Sequence, residues 1–156
     1  MQRFEHGLHI PVDDLRHMVV SGLADKSFGV SPALDQLRLA RESAARMALS
    51  YSDSGFAVAI DDFWHVEMRD GDYSPVIGNQ LQRILLLPNL EVTINRLKAR
   101  DGRTDHFEQA ICFVYHAIET RPELLTGWHV VDSSNLTIEE TVDRILEITG
   151  IKILRT

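Results

Sequence analysis

Three groups of charged residues stand where they could do chemistry. The apolar run Leu8-His9-Ile10-Pro11-Val12 ends in Asp13-Asp14, with Arg16 three residues after the first carboxylate. A second run, Phe56-Ala-Val-Ala-Ile60, ends in Asp61-Asp62. Arg96 and Arg100 stand four apart in a stretch of helical character, and Arg103 follows them. A carboxylate at the end of a strand can take the proton of an attacking hydroxyl, or help hold Mg²⁺ beside a phosphate chain as the acid of a Walker B strand does. Guanidinium groups at i and i+4 project from one helix face, and their forks suit phosphate oxygens. Each pattern also has a structural use. Asp13-Asp14 can cap a helix and meet its dipole, acids after strands are common, and an arginine pair can simply be a solvated helix face.

The elements that would carry these groups follow from periodicity. Gly7 bounds a short strand over Leu8–Val12, and Asp13 falls near its carboxyl end. From Asp14 to Ser21 the spacing of Leu15, Met18, Val19 and Gly22 predicts a helix. Gly22 to Gly29 reads as a flexible surface loop. Ser31-Pro32 opens a long helix to about Tyr51, whose apolar stripe is Leu34, Leu37, Ala40, Ala44, Met47, Ala48 and Tyr51. Phe56–Ile60 has no polar alternation, which predicts a strand buried on both faces. Val76–Arg83 reads as a short helix, Ile84–Leu87 as a third buried strand, and Glu91 to Lys98 or Arg100 as a helix interrupted by Asp101-Gly-Arg-Thr-Asp105. A further helix spans Phe107–Glu119. Trp128–Val131 is a fourth strand, ending in Asp132-Ser-Ser. Thr137-Ile-Glu-Glu140 is a capping box for a last helix with Ile138, Val142, Ile145 and Leu146 inward and Gly150 closing it. Strand and helix alternate, so the expected class is α/β with a parallel sheet and helices on both faces.

Bulk properties narrow the function classes. A chain of 156 residues, 44% hydrophobic, suits one domain with one core. A net charge of -7 argues against a general nucleic-acid surface, although it leaves room for a local basic cluster. Cys112 is the single cysteine, so no internal disulfide forms; its helical position suggests core rather than nucleophile. No apolar run approaches the length of a membrane span, and the N-terminus lacks a signal-peptide core. A soluble cytoplasmic protein is expected. The histidines are scattered without ligand spacing, so no zinc site is assigned. There is no Gly-x-Ser-x-Gly elbow either.

In this order, strand-Asp-Asp-x-Arg, strand-Asp-Asp and Arg-x3-Arg, the chain resembles the P-loop small-molecule and polynucleotide kinases. That group includes chloramphenicol phosphotransferase-like, zeta-toxin-like and polynucleotide 5′-kinase-like ATP-binding (AAA-type) phosphotransferases. The resemblance extends over nearly the whole chain, including Val131-Asp132-Ser133-Ser134 and the capped helix after it. It implies that Asp13 accepts the proton of the attacking hydroxyl, that Arg16 and Asp62 hold the acceptor (with Asp61 able to share the role), and that Arg96, Arg100 and Arg103 grip the donor phosphates. It also implies ATP and Mg²⁺ as cofactors and a small-molecule alcohol as substrate. A nucleic-acid 5′-end is disfavoured by the net acidity, and no membrane partner is implied.

One departure is large. Kinases of this kind open with a strand, the loop Gly-x4-Gly-Lys-Ser/Thr and a helix, and no such motif occurs in this sequence. Gly22-Leu-Ala-Asp-Lys26-Ser27 imitates its end but has Asp25 in place of the second glycine. The expectation is therefore a kinase-like domain over 1–156 that lacks the central first strand and the P-loop helix, with Phe4-Glu-His-Gly7 where that helix would end. Such a chain would be a poor catalyst. The alternative is a non-catalytic, kinase-like module that binds a phosphorylated ligand or a protein partner. Antibiotic, sugar, nucleoside and nucleic-acid acceptors all stay open.

Overall fold

In a computed structural model, residues 3–24, 31–63, 73–101 and 105–152 are described. The chain is a mixed helix–strand protein whose strands pair in parallel, and it divides into two compact units. Of the described residues, the first unit comprises 3–24, 31–63 and 73–81, and the second 82–101 and 105–152.

In the first unit, β1 (Gly7–Pro11) lies parallel to β2 (Ala57–Asp61), in a register that pairs Gly7 with Ala57 and Pro11 with Asp61. Parallel neighbours need a long crossover. Here it carries α1 (Val12–His17) and α2 (Ser31–Asp53). Ala40, Ala44 and Ala48, spaced at helical turns on α2, are buried in one cluster with Ile10 and Val12. Small side chains on that face let the helix come close to the sheet, and Leu8, Leu37, Met47, Val58 and Ile60 fill in around it. At the amino end of the strands, the Phe56 ring sits 5.2 Å from those of His6 and Tyr51.

In the second unit, β3 (Ile84–Leu86) pairs in parallel with β4 (His129–Val131). Between them come α4 (Leu90–Asp101) and α5 (Asp105–Thr120), after the short α3 (Ser74–Ile77) of the first unit. Asn89 caps α4 by accepting from the Val92 amide at 2.9 Å. The chain closes with α6 (Ile138–Thr149). The expected capping box is present at its start, and Gly150 at φ +67° ends it in the left-handed conformation that glycine takes without steric cost.

Several expectations are corrected. α1 ends at His17, so Met18–Ser21 are not helical, and Met18 and Val19 face solvent. Residues 3–6 form turns and bends rather than a helix end. β2 is not buried on both faces: Ala59 is exposed and Val58 and Ile60 are half-buried. The helix expected over 76–83 is only α3 and a 3-10 turn at Gly78–Gln80. Ile138 is exposed, and so is Cys112. For β2, Met18, Val19, Ile138 and Cys112, apolar character along the chain did not record whether another element covers it.

Two outcomes follow. The Ala57 amide donates to the His6 carbonyl at 3.0 Å. By the alternation of a parallel ladder, Ala59 also points toward β1, and Val58 and Ile60 point away. No strand among the described residues pairs with that second edge of β2. Hydrogen exchange should therefore run at least about tenfold faster at Val58 and Ile60 than at Ala59; equal protection would show another pairing. In the capping box, the Thr137 amide and hydroxyl hold the Glu140 carboxyl below its ordinary value of 4.5. A carboxyl lowered on folding stabilises the fold above its ordinary value and loses that effect as pH falls through the folded value. The start of α6 should fray below that pH in amide-resolved NMR; Glu140→Gln should abolish the pH step, and Thr137→Ala, which keeps the amide bond, should only reduce it.

Candidate functional site

The carboxyl ends of parallel strands are where open α/β sheets place ligands. In the first unit the register that pairs Pro11 with Asp61 sets these ends side by side. Asp13 follows β1 directly and sits exposed in the first turn of α1. Asp61 and Asp62 close β2 and leave it, respectively. Two of the three charged groups singled out by the sequence thus lie at one edge of one sheet.

The two neighbouring acids have opposite environments. Asp61 is exposed, and its Oδ2 lies 3.5 Å from Nε2 of His9, also exposed. Asp62 is turned inward. Its Oδ2 accepts from Nε of Arg41 at 2.6 Å and from the Tyr73 hydroxyl at 2.7 Å. Its Oδ1 accepts from the Phe63 amide at 2.8 Å, and Nη2 of Arg41 stands 3.5 Å away. The side chains of Arg41 and Asp62 are 9% and 11% exposed. Alternation along the strand explains the split, because successive side chains leave on opposite faces. Arg41 was not singled out by the sequence. Its position next to Ala40, inside the buried stripe of α2, was the available signal.

Arg16 is also buried, at 5% exposure. One of its Nη atoms donates to the Ala24 carbonyl. The amide of Gln36, on α2, bridges the same segment: Oε1 accepts from the Ala24 amide at 2.9 Å, and Nε2 donates to the Gly22 carbonyl at 2.8 Å. Gly22 and Ala24, the described part of the expected loop with such bonds, are thus tied to α1 and α2. The decoy residues Lys26 and Ser27 lie outside the described residues.

In the second unit, the ends of β3 and β4 are tied together. Asp132 Oδ1 accepts from both the amide and the hydroxyl of Ser134, which hold its carboxyl below the usual range. Ser134 Oγ in turn accepts from the Asn89 amide at 2.7 Å. The Tyr115 hydroxyl donates to the Pro88 carbonyl and lies 2.7 Å from that of Thr93; burial pushes it up. Arg96 reaches this knot from α4, its Nη2 donating to the Ser133 carbonyl at 2.9 Å. A guanidinium has five N–H donors, so one bond anchors the group and leaves it further hydrogen-bonding capacity. Arg100 is exposed on the same helix. Arg103 lies outside the described residues. Among the described residues, no group of three or more His, Cys, Asp or Glu is arranged to hold a metal ion, and no helix is long and apolar enough to cross a membrane.

No family model, curated protein or solved structure matches the chain.

The energetic weight of the Arg41–Asp62 pair is testable. Removing one partner of a buried pair leaves the other charge uncompensated, which costs about 3–5 kcal/mol. Arg41→Ala should lower the urea midpoint accordingly, Tyr73→Phe should cost about 1 kcal/mol, and the joint Arg41→Met, Asp62→Leu change should recover most of the loss. An Arg41→Ala protein as stable as the parent would remove the pair from its structural role.

Proposed function

We propose that this chain belongs to an ATP-dependent phosphotransferase of the P-loop kinase class and carries its acceptor and arginine groups. The observation that supports the reading is the strand register, which brings the Asp13 end of β1 beside the Asp61-Asp62 end of β2. A solvent-facing carboxylate at that edge can act as a base, whereas one sealed by an arginine cannot. In the reaction, the oxygen of the acceptor alcohol attacks the γ-phosphorus of ATP. The bond from that phosphorus to the ADP oxygen breaks, and the hydroxyl proton passes to Asp13 and then to solvent. Mg²⁺ would arrive with the donor phosphates, and Asp61 is the described acid suited to its water shell. Asp62 supports the acceptor side indirectly, through Arg41 and Tyr73. Arg96 and Arg100 contribute guanidinium groups suited to phosphate oxygens, and such contacts supply most of the catalysis in phosphoryl transfer.

A second reading is a non-catalytic module that binds phosphorylated ligands through the same arginines. The anchored guanidinium of Arg96 favours it, because a fixed cation binds an anion without turning it over.

The chain lacks a glycine-rich phosphate cradle in its sequence, so it should transfer phosphate far below the ordinary kinase range of about 1–100 per second. Joined behind a strand–Gly-x4-Gly-Lys-Thr segment, it should gain activity. Asp13→Asn should then reduce turnover by roughly 10²-fold or more while leaving acceptor binding nearly unchanged. Arg96→Ala and Arg100→Ala should weaken turnover, ATP binding or both. Parental kinetics in all three variants would overturn the phosphotransferase reading. Phosphate binding that needs Arg96, with no transfer in the fusion, would favour the module.

A further inference from the structure

In the second unit a groove of about 730 Å³ runs between β4 and α6. Val130, Val131 and Asp132 line it from the strand, and Leu136 from the turn that follows. Successive side chains of a strand leave by opposite faces, so three consecutive residues share one groove only at the strand's edge or just past its end. That edge is open. The His129 amide donates to the Arg83 carbonyl at 2.8 Å and the Leu87 amide to the Val131 carbonyl at 2.9 Å, so these groups face β3. By the alternation of a parallel ladder, the Val130 amide and carbonyl face the other way. No strand among the described residues pairs with them, and Val130 is 43% exposed.

The opposite wall is α6. Glu140, Asp143 and Glu147 stand at i, i+3 and i+7 along one side of the helix and line the groove. Seven residues at about 1.5 Å of rise make this row about 10.5 Å long. Asp132 adds a further carboxylate, and the one cation of the lining is Arg144. Its Nη1 donates to Oε2 of Glu147 at 2.5 Å, so its charge is spent on one of these acids. The bonds described for Asp132 fall on Oδ1 and those for Glu140 on Oε2, which leaves a second oxygen on each for a cation. Both carboxyls are held below their ordinary range by these bonds, so both are charged at neutral pH.

Charges on an open strand guard it against pairing with other chains. Here the strand's own exposed residue is a valine, and the charges stand across the groove on the helix. That arrangement selects a partner instead of repelling every one. Nucleic acid would be repelled by the carboxylates. A second copy pairing edge to edge would bring the same acidic wall against itself. A polyamine would answer the carboxylates, but it carries only donors and cannot accept from the Val130 amide. An extended polypeptide does both, since its backbone completes the ladder and its basic side chains reach α6. Alternate side chains of a strand are about 6.6 Å apart, so two or three of them match the acidic row.

We propose that the groove between β4 and α6 binds an extended basic segment of a partner protein, which adds a strand at Val130 and sets alternate Lys or Arg side chains against Glu140, Asp143 and Glu147. The inference uses no residue of the phosphotransferase reading and stands or falls apart from it.

The experiment titrates acetyl-Lys-Val-Lys-Val-Lys-amide into the 156-residue chain, followed by amide-resolved NMR. The peptide should bind saturably, with a Kd on the order of 0.1 mM. The largest shifts should fall on Val130–Asp132 and on residues 140–147, and exchange of the Val130 amide should slow. The matching Glu-Val-Glu-Val-Glu peptide and spermidine should each bind at least about tenfold more weakly. Arg144→Gln should tighten binding about threefold and Glu147→Gln should weaken it about threefold. Damage to the fold would not move affinity in both directions. Pairing is tested on the peptide, which leaves the protein untouched. With the valine amides methylated in one peptide and the lysine amides in another, at least one should lose about tenfold in affinity. The inference is overturned if the basic peptide does not bind, if the acidic peptide or spermidine binds as tightly, or if the shifts lie away from β4 and α6. It is equally overturned if the two variants fail to move affinity in opposite directions, or if both methylated peptides bind as the parent does. Protection of the Val130 amide that rises with protein concentration in the free chain would put a second copy on the edge and overturn it too.

Discussion

The buried ion pair between Arg41 and Asp62 is the constraint on which the first unit depends. Arg41 belongs to the helix that covers β1 and β2, and Asp62 follows β2 directly, so the pair ties the crossover to the end of the strand. Tyr73 and the Phe63 amide occupy further lone pairs of the same carboxylate. A charge pair taken out of water is tolerated only when its remaining hydrogen-bonding positions are filled, and here they are. The result is a strand end with a defined direction, which leaves Asp61 facing outward beside the start of α1. The chemistry proposed for that edge needs this division of labour, in which one acid is spent on the scaffold and its neighbour stays in solvent.

A similar economy operates with Arg16 and with the second unit. Arg16 and Gln36 spend polar groups on the backbone of Gly22 and Ala24, tying the segment after α1 to α1 and α2. Asp132, Ser134 and Asn89 join the ends of β3 and β4 through a chain of hydrogen bonds, and Arg96 is anchored on the same knot. Short parallel strands have few ladder bonds, and β3 and β4 are short. Side-chain bonds at the strand ends supply fixation that the ladders alone give sparingly. Both units therefore concentrate their polar order where strands end, which is also where parallel sheets meet ligands.

Much of the secondary structure was legible in the sequence, and the reasons are local. The capping box at Thr137 and Glu140, the glycine at 150 and the alanine-rich stripe of α2 act within a few residues of themselves, so they survive any tertiary arrangement. The apolar runs before Asp13 and Asp61 are short and each follows a glycine, Gly7 and Gly55, which favours strands, and the helices between them make their pairing parallel. The sequence likewise placed carboxylates at both strand ends, because that requires only adjacency along the chain.

What only the tertiary structure decided is which polar group meets which. Asp61 and Asp62 are the same residue type one position apart; strand alternation sends them to opposite faces, but no local rule says which face another element covers. The distinction comes from Arg41, 21 positions away in sequence. The direction of Met18 and Val19 was decided in the same way. Their spacing continues the helical pattern, but α1 ends at His17 and both face solvent. Local sequence determines periodicity and capping, since these rest on short-range sterics and hydrogen bonds. Burial and charge pairing rest on contacts between distant segments, and those exist only once the chain has folded.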